Sequence, residues 1–158
     1  MSDLEGCLAC DLSAGRRPLP GGLLHATSRW RVEHCTGPLG VGTLIVKPVR
    51  HVTVVADLDD PEAAEMGPLL RLAAAVVTEL VRPEQVYVCL WSHTGRRPGH
   101  LHHVVQPATT DAIDTADGAY GPALQVAMFG AGVTPDPAAV EVFADRARTA
   151  FATPRNHQ

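Results

Sequence analysis

The sequence predicts an α+β fold in which an antiparallel sheet is packed with helices. Three observations carry this. Strand-like stretches come in pairs on either side of one long helical stretch. That stretch sets Leu69, Leu72, Ala73, Val76 and Leu80 at helical spacing. Val86 to Trp91 is nearly continuous apolar sequence, as in a central strand covered on both faces.

Residues 11–28 contain Gly15, Pro18, Pro20, Gly21 and Gly22 and read as a loop. Trp30-Arg31-Val32-Glu33 alternates apolar and polar residues, the period of a short strand. Gly37 to Gly40 is a turn, and Gly42 to Val46, ending at Pro48, is its hairpin partner. Val52 to Val55 is short and β-branched, an extended connection. Asp60-Pro61-Glu62 starts a helix, with Asp60 at the cap and Pro61 at the first position. Gly67-Pro68 is expected to interrupt that helix, and Pro83 to end it. Ser92 to Gly99 is a polar turn, followed by a histidine-rich strand. The tail from Thr110 to Gly130 holds a helix broken near Gly118 or Gly121-Pro122. Asp136-Pro137 starts a last helix with Val140, Phe143, Ala147 and Phe151 on its inner face.

The chain of 158 residues suits a single domain, 1–158, with a sizeable core. A net charge of −4 argues against broad nucleic-acid binding but allows a small phosphorylated ligand held by a few arginines. No apolar run approaches the length of a membrane span. The acidic start, Met1 to Glu5, lacks the apolar core of a signal peptide, so a cytoplasmic location is expected. There, Cys7, Cys10, Cys35 and Cys89 read as metal ligands or buried thiols, not disulfides.

Gly99-His100-Leu101-His102-His103-Val104-Val105-Gln106-Pro107 sets three histidines in four positions. In a regular strand His100, His102, Val104 and Gln106 share one face, and His103 turns away. Cys7-x-x-Cys10 with His51 and His100 makes a tetrahedral set of two thiolates and two imidazoles. Four protein ligands leave no place for water, so such a zinc is structural. A redox pair is the competing reading of Cys7 and Cys10, but no βαβ pattern surrounds them. His102 is the candidate nucleophile: a neutral imidazole attacks phosphorus through one nitrogen while the other donates to a backbone carbonyl. His103 reads as a buried, hydrogen-bonded or helix-facing histidine. Arg96 and Arg97 can hold phosphate oxygens, and Ser92 and His93 are near enough in sequence to line a pocket. Cys35 and Cys89 are most simply buried apolar side chains.

These residues resemble the histidine triad superfamily, whose hallmark is His-φ-His-φ-His-φ-φ with φ apolar. His100-Leu101-His102 matches the first half and Pro107 the end. The resemblance covers about residues 4–108 and leaves a C-terminal helical extension at about 110–152. Cys7, Cys10, His51 and His100 look like the zinc set of zinc-bearing members and of the related uridylyltransferases. The resemblance implies about five antiparallel strands and a homodimer joined through its sheets into one continuous ten-stranded sheet. It also implies nucleotide binding and attack of His102 on an α-phosphate, as in hydrolases or nucleotidyl transferases. Gly99 amides, Ser92 and Arg96 or Arg97 would hold the phosphate, and dinucleoside polyphosphates are the expected substrates. A weakened, nucleotide-binding zinc module is the alternative. The third triad histidine falls at Val104, in a position that contacts phosphate or leaving group in the family. Loss of one transition-state hydrogen bond costs about 10²–10³ in rate, though a polyphosphate leaving group needs little protonation. The phosphate loop is also shorter and lacks its usual Gln or Asn, and the ribose-holding position falls near Cys35.

Overall fold

The structure is a computed structural model that describes residues 4–94 and 97–154, with residues 93, 94, 97 and 98 described in backbone only. A short helix α1 (Leu8–Ser13) leads into three strands, β1 (Leu23–Ala26), β2 (Trp30–His34) and β3 (Leu44–Pro48). A 3₁₀ turn at Val55–Asp57 precedes the long helix α2 (Asp60–Val81). Strand β4 (Gln85–Leu90), the two-residue strands β5 (His93–Thr94) and β6 (Arg97–Pro98), and β7 (His103–Ala108) follow. Helices α3 (Thr110–Thr115), α4 (Pro122–Ala131) and α5 (Pro137–Ala152) complete the chain. The main sheet has five antiparallel strands in the order β1-β2-β3-β7-β4. No helix among the described residues is long and apolar enough to cross a membrane.

Alternation in the strands builds the core. Trp30 and Val32 of β2, Leu44 and Val46 of β3, and Val105 of β7 point to one face. There they meet Leu69, Ala73, Val76 and Val77 of α2 and Phe143, Ala144 and Ala147 of α5. The opposite face carries Arg31, Glu33, Ile45, Lys47 and Val104.

Five expectations are corrected. The presumed loop 11–28 contains the end of α1 and the edge strand β1, whose four residues are too few to show a period. Helix α2 runs unbroken through Pro68, which is exposed, so water can satisfy the carbonyl its ring leaves without a partner. Its cap is Asp59, whose side chain accepts from Glu62 N at 2.7 Å while Glu62 Oε2 accepts from Asp59 N at 2.9 Å. Strand β4 lies at the sheet edge with Val88 and Leu90 exposed, so its apolar run is not a strand buried on both faces. The histidine strand begins only at His103, and His100 to His102 form its extended approach. The tail breaks between α3 and α4 as expected, and α5 turns Val140, Phe143, Ala147 and Phe151 inward.

The hairpin between β2 and β3 is closed by His34. Its Nδ1–H donates to the Cys35 carbonyl at 2.8 Å and its Nε2 accepts from Gly42 N at 2.9 Å. Gly42 adopts φ +92°, and a Cβ there would stand 2.7 Å from Val81 Cγ2. A protonated His34 would point a second N–H at the Gly42 N–H. Burial holds its pKa below 6.5, partly opposed by the Cys35 carbonyl.

The folded-state pKa is the lower one, so the unfolded chain takes up the proton first in acid. The stabilisation is therefore complete above pH 6.5 and is lost as pH falls toward the depressed value. His25, His100 and His103 are shifted the same way. The melting temperature should fall between pH 7 and 5.5, and fall less steeply in His34→Gln; equal slopes would contradict the assignment.

Candidate functional site

Strands β3 and β7 run antiparallel with Val46 opposite His103. The chain leaving β3 and the chain entering β7 therefore lie at the same end of the sheet. His51 follows β3 and His100 precedes β7, so the register brings them together, with ring centroids 5.0 Å apart. Leu101 N donates to Val52 O at 2.6 Å and ties the two segments. Arg50, beside His51, donates from Nε and Nη2 to the two carboxylate oxygens of Glu62 at 3.1 and 2.6 Å. This pair pulls the Glu62 carboxyl below its ordinary range and anchors the His51 segment to the first turn of α2.

Cys7 caps α1 and Cys10 lies in its first turn, so both sulfurs sit on one side of the helix. Donor atoms of Cys7, Cys10, His51 and His100 all lie within 4.8 Å of one another. Cys10 Sγ is 3.4 Å from His51 Nδ1 and 3.4 Å from His100 Nδ1, and Cys7 Sγ is 3.9 Å from His100 Nδ1. A tetrahedral zinc with ordinary Zn–S and Zn–N bonds sets N and S about 3.5 Å apart. The donor set and its spacing fit a structural zinc. His100 Nε2–H donates to Pro48 O at 2.9 Å, which leaves a lone pair on Nδ1. Burial pushes the His100 pKa down to about 4, so the ring is neutral, as a ligand must be.

His102 is half-buried two residues further on. Its Nδ1–H donates to His100 O at 2.9 Å, so its lone pair sits on Nε2. Its own carbonyl accepts from Trp91 N at 3.2 Å. The imidazole is thus held by the metal-binding segment on one side and by the β7–β4 pairing on the other. His103 turns to the opposite face, is buried, and packs at a tilt 6.1 Å from Trp30. Burial lowers its pKa, which keeps it neutral.

Ser92 and Gly99 meet: Gly99 N donates to Ser92 O, and a Cβ at Gly99 would stand 3.3 Å from that oxygen. Arg97 lies in β6 with its backbone alone described, and Arg96 lies outside the described residues. Val104 is 3% exposed and packs with Cys35, Leu39, Ile45, Trp91 and Met128.

Two features of this face escaped sequence reasoning. Helix α4 covers Val104: Met128 packs on it, Phe129 stacks on Trp91 at 5.3 Å, and Gln125 Nε2 donates to Gln106 Oε1 at 2.9 Å. An ion pair is buried beside it: Lys47 Nζ lies 2.5 Å from Glu33 Oε1 and donates to Ala9 O at 2.8 Å. Burial raises the Glu33 pKa against the pull of Lys47, Arg31 and His102. The only signal for the pair was opposite charge on adjacent hairpin strands at diagonal positions.

Protein purified without chelator should carry one zinc per chain by elemental analysis. Cys10→Ala should lose the metal and lower the melting temperature, and chelator should do the same to the parent. Full metal content in Cys10→Ala would refute this ligand set.

No family model and no curated protein sequence matches the chain. Solved structures do. A zinc-bound histidine triad family protein from Mycobacterium smegmatis matches with TM-score 0.66 at 16% identity, over 93% of this chain and 94% of that one. A HIT-like protein involved in cell-cycle regulation from Bartonella henselae matches with TM-score 0.69 at 13% identity, over 93% and 98%. A hypothetical histidine triad nucleotide-binding protein from Sulfolobus tokodaii matches with TM-score 0.67 at 16% identity, over 92% and 91%. These likenesses, over more than nine-tenths of each chain, show that the five-stranded antiparallel sheet with its packed helices is the histidine triad fold.

Proposed function

We propose that the chain is a zinc-bearing histidine triad protein that hydrolyses or transfers nucleotidyl groups through His102. The observation that carries this is the His102 hydrogen bond to His100 O, which places the lone pair on Nε2 of a half-buried ring two residues from the zinc-ligand candidate His100. Proteins of this fold include a zinc-bound histidine triad family protein and a hypothetical histidine triad nucleotide-binding protein. The whole chain, 1–158, acts as one domain, with the helical extension part of it.

His102 Nε2 attacks the α-phosphorus. The N–P bond forms as the P–O bond to the leaving group breaks, and the leaving group departs with the electron pair. Water or an alcohol then attacks phosphorus, the N–P bond breaks, and the imidazole lone pair returns to Nε2. The Ser92 hydroxyl and the Arg96 or Arg97 guanidinium hold the phosphate oxygens, while the Gly99 amide, expected to share in this, instead donates to Ser92 O and closes the turn. Zinc serves structure alone, fixing the segment that carries His102. Val104 provides no proton for the leaving group, which favours anhydrides such as dinucleoside polyphosphates, whose leaving groups are stable anions. The apolar surroundings of Val104 also favour a second reading, a nucleotide-binding module with little turnover.

The partner for the open edge of β4 is a second copy of this chain. Exposed Val88 and Leu90 would be covered by such pairing. Light scattering should give a dimer mass, and Val88→Lys with Leu90→Lys a monomer; a monomeric parent would refute the pairing.

Incubation with a labelled dinucleoside polyphosphate should leave an acid-labile nucleotidyl adduct on the protein. His102→Ala should remove both label and turnover, the latter by about 10³-fold or more, the order that loss of a covalent nucleophile costs. Tight nucleotide binding without label or turnover would select the binding module instead.

A further inference from the structure

A buried charge pair lies against α1 and takes no part in the chemistry assigned to His102. Lys47 of β3 is fully buried, Glu33 of β2 nearly so, and Lys47 Nζ meets Glu33 Oε1 at 2.5 Å. Stability does not account for this pair. A buried ion pair is often no more stable than an apolar pair of the same volume. Two further penalties fall on this one. Glu33 Oε2 is buried without a hydrogen-bond partner, so its desolvation goes uncompensated. Lys47 also stands opposite Arg31 in the β2–β3 register, and like charges directly opposite repel.

A third contact shows what the ammonium does. Lys47 Nζ donates to the Ala9 carbonyl at 2.8 Å, and Ala9 lies between Cys7 and Cys10. Helix α1 has six residues, well below the roughly 12–15 at which an isolated helix is even marginal in water. Its cap, Cys7, makes no side-chain capping hydrogen bond. The turn that carries both sulfurs therefore takes its position from tertiary contacts, and Lys47 supplies one at its middle. The next residue of β3, Pro48, accepts from His100 Nε2–H at 2.9 Å. Consecutive residues of one strand thus hold the cysteine turn and an imidazole ligand.

We propose that Lys47 is a positioning residue of the zinc site. Its ammonium, anchored by Glu33, holds the Ala9 carbonyl and so sets Cys7 and Cys10 against His51 and His100. Lys47 does not touch the metal and acts through the helix backbone. A cation that must first order its own ligands is bound less tightly by the cost of that ordering. The charge pair removes part of that cost before the metal arrives.

The test separates metal affinity from stability. Zinc-loaded full chain is titrated with a chromophoric chelator, and metal-stripped chain is melted. Lys47→Met with Glu33→Leu exchanges the charges for apolar side chains of similar size. Stripped of metal, this double variant should melt at or above the stripped parent. Its zinc dissociation constant should rise about 10–100-fold, the range for losing a group that supports metal ligands from behind. Glu33→Gln should do the reverse, because it removes the counter-ion but leaves an N–H donor for Ala9 O. It should melt lower yet hold zinc within about threefold of the parent. Cobalt in both variants should give the thiolate-to-metal absorption of the parent, since all four ligands remain. A rise below about tenfold in the double variant overturns the proposal. So does an equal rise in Glu33→Gln, which would mean general loosening. A stripped double variant that melts well below the stripped parent also overturns it, because the pair would then serve the fold and not the metal. A parent that takes up no zinc overturns the metal site and this inference together.

Discussion

The site depends on one register, the pairing of Val46 with His103 between β3 and β7. It sets the end of one strand beside the start of the other. His51, His100 and His102, separated by about fifty residues of chain, come together through it. The Cys7–Cys10 turn joins from a third direction and is held by Lys47, whose ammonium reaches the Ala9 carbonyl inside α1. Slipping the register by one residue would exchange the faces of β7. His103 would then occupy the Val104 row, and the core would lose Val105.

The Lys47–Glu33 pair adds an electrostatic constraint to this geometry. Both side chains are buried, so the pair is weak evidence for stability in itself. Its value lies in position. The ammonium links the sheet to the helix that carries two metal ligands, and it fixes one carboxylate oxygen while the other remains without a partner. A hydrophobic pair of the same volume would fill the space but link nothing.

Helix α4 changes the meaning of Val104. In the sequence the valine is simply a missing triad histidine. In the structure it belongs to an apolar cluster closed by Met128, with Trp91 and Phe129 stacked at its rim. A histidine there would have to be accommodated among carbon and sulfur atoms. The valine and the helical extension therefore form one packing solution, which neither residue type nor spacing reveals.

Sequence by itself determined the fold class, most of the strands, the long helix and the four metal-ligand residues. Residue chemistry at these positions admits few alternatives: CxxC with two histidines at strand ends fits a tetrahedral cation, and alternation marks β2. It also led to wrong expectations where it weighed local signals alone, as at Pro68, which an exposed helix face tolerates, and at β4, whose apolar run lies at the sheet edge. Tertiary structure decided what covers each face. Periodicity shows which residues share a side of a strand, but the burial of Glu33 and Lys47, and of Val104 under α4, depends on elements distant in the chain. Local sequence carries no record of that long-range packing, because the covering helix leaves no periodic mark on the strand it covers.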